Sequence, residues 1–251
     1  MAELFFWPAL VGYGAYPLAG RWAVWGVRLG WLAQTALLIA QAARADGFPW
    51  SSWAGSLNLF VWLVVSAYLI WGCRARFRLL GLVVLPLAAT LFVVARLGGG
   101  TSLGEHSRYS SVFLVAHVGL VLAAFAGFTL AAGLAAVYLF QERRLKRHDT
   151  AILRVPAPAL ETLDTLAART IAVSLPALTL GIVVGVVRLR ERGGGFDALM
   201  AFTVATWFAY GAYVALRWRY GWRGRRAAYF ALASFVLVIV VRLALPVTHF
   251  S

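Results

Sequence analysis

One cysteine, one lysine and few carboxylates mark this 251-residue chain. Cys73 stands alone, so an intramolecular disulfide, a CxxC redox pair and a thiolate cluster are excluded. Lys146 is the only lysine and follows Leu145, so no Gly-Lys pair exists and a phosphate-binding P-loop is excluded. Charged types make up 13% of the residues, about half the share of a soluble domain. A cytosolic enzyme, a disordered tail and a disulfide scaffold do not have this composition. The sequence also contains no HExxH motif, no cluster of metal-ligand types and no nucleophile–base arrangement. No basic region precedes the first apolar run, which therefore does not read as a cleaved signal peptide.

What is present is apolar surface. Apolar types reach 62%, enough for about seven or eight membrane crossings at about 20 residues each. Eight apolar segments can be marked, at Leu4–Ala19, Val24–Ala42, Ser56–Gly72, Leu79–Ala95, Ser111–Phe140, Ile171–Val187, Leu199–Leu216 and Ala227–Pro246. The expected fold class is all-α: a polytopic integral membrane protein of about eight transmembrane helices, forming a single domain over residues 1–251. The first segment is short and carries Pro8 and Pro17; the fifth is long enough to project beyond the hydrocarbon.

The net charge of +14 is carried almost wholly by arginine. On a soluble protein it would point to nucleic acid. Here it lies in short loops between apolar runs, where it sets orientation, and no nucleic-acid partner is expected. Sixteen of the 23 basic residues fall in one set of loops and seven in the other. The richer set is expected in the cytoplasm of a multi-pass protein of the cell membrane, with both termini outside. The longest polar stretch, Gln141 to Thr170, is on the cytoplasmic side in this reading. Leu160, Leu163 and Leu166 recur every three residues beside Glu161, Asp164 and Arg169. That pattern suits a short helix lying on the membrane surface.

Four histidines are the candidates for chemistry. His148 follows a run of basic residues and reads as solvated, and His106 lies in the outer loop Gly98–Ser110. His117, near the outer end of the fifth span, and His249, just past the outer end of the last, share one depth and one face. Neutral imidazole is a common axial ligand of haem iron, and two at one depth could clamp a haem between helices. A helix-packing histidine and a tail histidine explain the same positions. The outer loop Arg188–Asp197 is a second candidate. Arg188 and Arg190 could pair with carboxylates such as haem propionates, or the loop could be a solvated connector with Asp197 as an N-cap. Tryptophans at span ends, among them Trp50, Trp53, Trp218 and Trp222, fit an interfacial belt. Arg242, inside the last span, calls for a partner, a cavity or snorkelling.

Several stretches together resemble the cytochrome c assembly family of haem-handling membrane proteins, which includes the CcsA/ResC type and a HemX-like branch. They are Gly221-Trp222-Arg223-Gly224-Arg225-Arg226-Ala227-Ala228, Val115-Ala116-His117-Val118-Gly119, Gln141-Glu142-Arg143-Arg144-Leu145-Lys146, Ser56-Leu57-Asn58-Leu59-Phe60 and Thr206-Trp207-Phe208-Ala209-Tyr210. The matches run from about residue 50 to the end. The resemblance implies an outer haem site with His117 and His249 as axial ligands of a non-covalent b-type haem. It sets Asp197 at the end of the covering segment, Arg188 and Arg190 near the propionates, and Trp207 beside the site. It implies presentation of haem to apocytochrome c, a partner membrane subunit and no independent enzymatic activity. Two departures stand out. The tryptophan-rich outer segment is reduced to Gly193-Gly194-Gly195-Phe196-Asp197, and Ala215 replaces a membrane-embedded histidine of the full CcsA type. These favour the shorter HemX-like branch. They leave open a second role, as a haem-free regulator or scaffold of a tetrapyrrole-synthesis enzyme acting through the Gln141–Thr170 loop.

Overall fold

The computed structural model describes residues 2–18, 22–44, 50, 52–72, 77–102, 112–148, 158–192 and 198–244. They form eight α-helices: α1 Ala2–Gly14, α2 Ala23–Ala42, α3 Trp53–Gly72, α4 Arg78–Leu97, α5 Val112–Lys146, α6 Leu160–Arg192, α7 Ala198–Tyr220 and α8 Arg225–Ala244. No strand occurs among the described residues. α2 to α6 each contain a stretch long and apolar enough to cross a membrane. The chain is an all-α polytopic membrane protein.

α5 organises the bundle. It packs on α3 and α4 to one side and on α6 and α8 to the other. Apolar burial does not distinguish a helix neighbour from lipid, so membrane helices associate through small residues and polar contacts. α5 accordingly buries Ala124, Ala126, Ala131, Ala132 and Ala135. A Cβ added at Gly133 would come within 2.9 Å of Val84 Cγ2 on α4. Two packed clusters flank α5, one built mainly from α1–α4 and the other from α6–α8.

The α1–α4 side is held by a closed polar network. Tyr13 Oη donates to Gln34 Oε1 at 2.7 Å, and Gln34 Nε2 donates to Asn58 Oδ1 at 2.9 Å. Asn58 Nδ2 reaches Gln41 Oε1 and the Gly100 carbonyl at 3.2 and 3.1 Å. Gln41 Nε2 donates to the Gly100 and Ser102 carbonyls at 3.0 and 2.9 Å, while Trp50 Nε1 donates to Gln41 Oε1 at 3.1 Å. Gln34, Gln41 and Asn58 are buried. Each would cost about 1–3 kcal/mol if left without partners, so the network fixes the register of three helices. A reciprocal pair joins α2 to α3 lower down. Trp31 Nε1 donates to Ser66 Oγ at 2.7 Å and Trp62 Nε1 to Thr35 Oγ1 at 2.8 Å, with the indoles stacked 5.8 Å apart. Trp50 therefore reaches into the polar core instead of simply marking the interface.

Several helix limits differ from the sequence expectation. α1 ends at Gly14 and continues only as turns to Leu18, because Pro17 lacks an amide donor and disfavours helix at the residue before it. α5 runs on through the polar Gln141–Lys146, supported by Lys146 Nζ to Glu142 Oε1 at 2.6 Å. It closes at His148, exposed and at φ 52°. The segment expected to lie on the membrane surface is the first three turns of the unbroken α6. Leu163, Ala167 and Ile171, four apart, are buried. Interfacial and packed helices share that leucine period, and the stripe runs directly into the span.

Candidate functional site

His117 is held between α5 and α6. Its Nδ1 lies 2.7 Å from the Gly181 carbonyl oxygen. A carbonyl only accepts, so Nδ1 carries the proton and the neutral ring has its lone pair on Nε2. A backbone carbonyl that fixes the tautomer and the ring plane is the usual support for a histidine that ligates a metal through its other nitrogen.

The seat exists because α6 has glycine where the imidazole lies. A Cβ at Gly185 would stand 2.7 Å from His117 Cε1 and 3.0 Å from Nδ1. One turn earlier, a Cβ at Gly181 would stand 2.7 Å from Val121 Cγ2. Deeper still, Gly127 of α5 packs against Ser174 of α6. These contacts bring the two backbones together along their shared length and leave His117 at the rung nearest the start of α5. Val115, two residues before it, is exposed.

Trp207 of α7 is tied to the other flank of α6. Its Nε1 donates to Thr179 Oγ1 at 2.8 Å, and Thr179 Oγ1 donates to the Leu175 carbonyl at 2.9 Å. Positions 179 and 181 are about 3 Å apart along the axis and about 200° apart around it. His117 and Trp207 thus share a depth on opposite flanks of one helix. Below them Tyr210 stacks on Phe128, with centroids 3.7 Å apart and planes at 4°.

Arg188 and Arg190 were expected in a loop; both positions belong to α6, which stays helical to Arg192. The connector between α6 and α7 is therefore about five residues shorter than the charge pattern suggested. By helical period, position 188 follows Gly181 and Gly185 on one face, and position 190 follows Thr179 on the other. The backbone places the two arginine positions outward of His117 and of Trp207 respectively. Asp197, His249 and His106 lie outside the described residues, as does the side chain of Arg242. α8 is described to Ala244, five positions before His249. No group of three or more His, Cys, Asp or Glu side chains that could hold a metal ion occurs among the described residues.

The opposite end of the same helices holds a site that sequence reasoning missed. Asp164 of α6 binds Arg217 of α7 in a fork, Nη2 to Oδ2 at 2.7 Å and Nη1 to Oδ1 at 3.1 Å. The Gly224 amide donates to Asp164 Oδ1 at 3.0 Å. Gly221 and Gly224 have φ of 65° and 66°, a region in which side chains cost energy. A Cβ at Gly224 would also stand 2.9 Å from Tyr138 Oη. The Trp-Arg-Gly-Arg-Arg run is thus, in this structure, the tight turn that joins α7 to α8 and locks both to α6. Its glycines were the available signal. Asp164, placed with the surface helix, gave none.

A family model described as "Cytochrome C assembly protein" matches residues 50–248. Among curated relatives, "Cytochrome c biogenesis protein CcsA" of Microcystis aeruginosa is 28% identical, the alignment covering 96% of this chain and 88% of the relative. The protein of the same description from Gloeothece citriformis is 27% identical, over 86% and 81%. That from Guillardia theta is 26% identical, over 81% and 75%. No solved structure matches.

Proposed function

From the premise that this chain belongs to the cytochrome c assembly protein family, and so has a role in cytochrome c biogenesis, we propose that it holds haem near the outer membrane face for attachment to apocytochrome c. The observation that carries the reading is the His117 Nδ1–Gly181 carbonyl bond. It puts the proton on Nδ1 and the lone pair on Nε2, the tautomer that a metal-ligating histidine uses. His249, following the outer end of α8, supplies the second axial position. Arg188 and Arg190 are the cations for the propionates, with Trp207 and Asp197 completing the edge of the site.

Haem, when bound, supplies the iron and the vinyl edge that reacts with acceptor thiols. The chain's own residues bind, orient and shield. Gly181 fixes the imidazole tautomer, and Gly185 keeps space for the ring. The α5–α6 contact holds both at one depth. The single thiol, Cys73, cannot cycle through an intramolecular disulfide, so reduction of the acceptor thiols falls to a separate reductant. A partner membrane subunit is part of this reading, as is a cell-membrane location with both termini outside.

The test is a visible spectrum of detergent-purified protein, oxidised and dithionite-reduced, beside the His117→Ala/His249→Ala double variant. A sharp Soret band with split reduced α and β bands, lost in the variant, is the expected result. Unchanged haem in the variant removes the axial assignment. A colourless wild type that also takes up no added haemin overturns the haem reading. It would favour the regulatory role through residues 141–170.

A further inference from the structure

α8 contacts only α5 and α7 to any extent, so its remaining face is turned out of the bundle. That face carries two adjoining features. Tyr229, Leu232, Ala233, Val236 and Leu237 line an open apolar groove of about 520 Å³. Residues 220–223, 225 and 226, four of them Tyr220, Trp222, Arg223 and Arg226, line a polar recess of about 450 Å³ at the foot of the helix. Tyr229 lies between the two. Positions 225, 229, 232, 233, 236 and 237 follow the i, i+4, i+7 period of a single helix face.

The groups around the Tyr229 hydroxyl are donors. Arg143 Nη2, from the end of α5, donates to Tyr229 Oη at 3.1 Å. The Arg225 guanidinium carbon lies 5.4 Å from the Tyr229 ring centroid. An oxygen accepting from a guanidinium group keeps its own O–H to donate. Two cations and a hydroxyl donor then converge where α8 begins. The neighbouring Glu142 is engaged with Lys146. Arg223 and Arg226 add further charge and are exposed. This is the donor set of a phosphodiester, set beside the open, shallow apolar groove along α8.

We propose that this face of α8 binds one anionic phospholipid. Its phosphate lies among Arg143, Arg225 and Tyr229 Oη, and an acyl chain runs along Leu232, Ala233, Val236 and Leu237. The groove commits the site to a lipid over free phosphate. Arginine counting puts this end at the cytoplasmic leaflet, where anionic headgroups attract basic residues.

The experiment uses the full chain in detergent, titrated with phosphatidylglycerol, phosphatidylcholine or inorganic phosphate and read by native mass spectrometry and thermal unfolding. Phosphatidylglycerol is expected to bind and to raise the melting temperature. Arg143→Gln or Arg225→Gln should each weaken it about five-fold, and the pair about 25-fold. Ala233→Trp, which fills the groove without touching the charge, should reduce lipid binding as well. It also serves if the arginine variants fail to fold. Arg169→Gln, an exposed arginine on α6, should have no effect. Equal binding of phosphatidylcholine overturns the proposal. So does equal stabilisation by inorganic phosphate, or full binding by Ala233→Trp.

Discussion

Gly185→Ala is the smallest change that tests the histidine seat. The added Cβ would sit 2.7 Å from His117 Cε1 and 3.0 Å from Nδ1, against an ordinary separation of about 3.5–4.0 Å. The ring has to retreat by about an ångström, and the 2.7 Å bond to Gly181 lengthens beyond useful range. Overpacking costs about 1–3 kcal/mol. The lost hydrogen bond costs about 0.5–1.5 kcal/mol more. Replacing glycine by alanine inside a helix returns about 0.5–1 kcal/mol. The net is a destabilisation of about 0.5–4 kcal/mol, with the imidazole displaced. Gly119→Ala is the matched control, because it lies two residues from His117 and its Cβ would meet nothing within 4 Å. That variant should gain the helix term alone. In thermal unfolding the two should separate by roughly 3–18 °C, at about 2–4 °C per kcal/mol. In the visible spectrum Gly185→Ala should lose Soret intensity while Gly119→Ala keeps it. Equal melting temperatures would refute the packing argument. Separated melting temperatures with equal haem content would leave the seat standing and remove its link to the ligand.

Two further outcomes are expected. Asp164→Ala removes both partners of the Arg217 fork and the acceptor of the Gly224 amide, and should cost about 3 kcal/mol by stranding a half-buried cation. Adding Arg217→Ala should recover about 1–3 kcal/mol of that as coupling, measured as a double-mutant cycle of thermal unfolding; purely additive losses would mean the pair is energetically idle. Asn58→Leu takes one hydrogen bond each from Gln34 Nε2, Gln41 Oε1 and the Gly100 carbonyl and should cost about 0.5–1.5 kcal/mol per lost bond. Haem content per folded protein should be unchanged, and a parallel loss of haem would show that the two sides of the bundle are not separable.

The sequence made the helices legible because a bilayer demands long apolar runs, and each of the eight segments corresponds to a helix. It misjudged the ends. Polar residues stop a run of hydropathy without stopping a helix, as at Gln141–Lys146 and Arg188–Arg192. The leucines at 160, 163 and 166 carry a period that interfacial and packed helices share. Only the partner α5 decides between them, and it ends at Lys146, 14 residues before Leu160. His117 was legible as a candidate, since histidine is rare in apolar segments. Its seat was not, because glycines 181 and 185 acquire meaning only once another helix is laid against them. The polar core escaped notice for a related reason. Gln34, Gln41 and Asn58 are scattered over two apolar runs, and only the packing of α1 to α4 gathers them.

The division of the hydrogen bonds has a consequence for biogenesis. Tyr13, Gln34, Gln41, Trp50, Asn58, Gly100 and Ser102 satisfy one another, as do the indole pair at Trp31 and Trp62, all at or before position 102. The His117–Gly181, Trp207–Thr179, Asp164–Arg217 and Arg143–Tyr229 bonds join residues at or beyond position 117. The ribosome therefore finishes the first set before it has made any of the second. α1 to α4 can close their polar groups while α5 is still being synthesised, and α5 then inserts against a finished wall. The half that carries the histidine seat is assembled last, and the order of translation protects it from pairing with the amides of the half already closed.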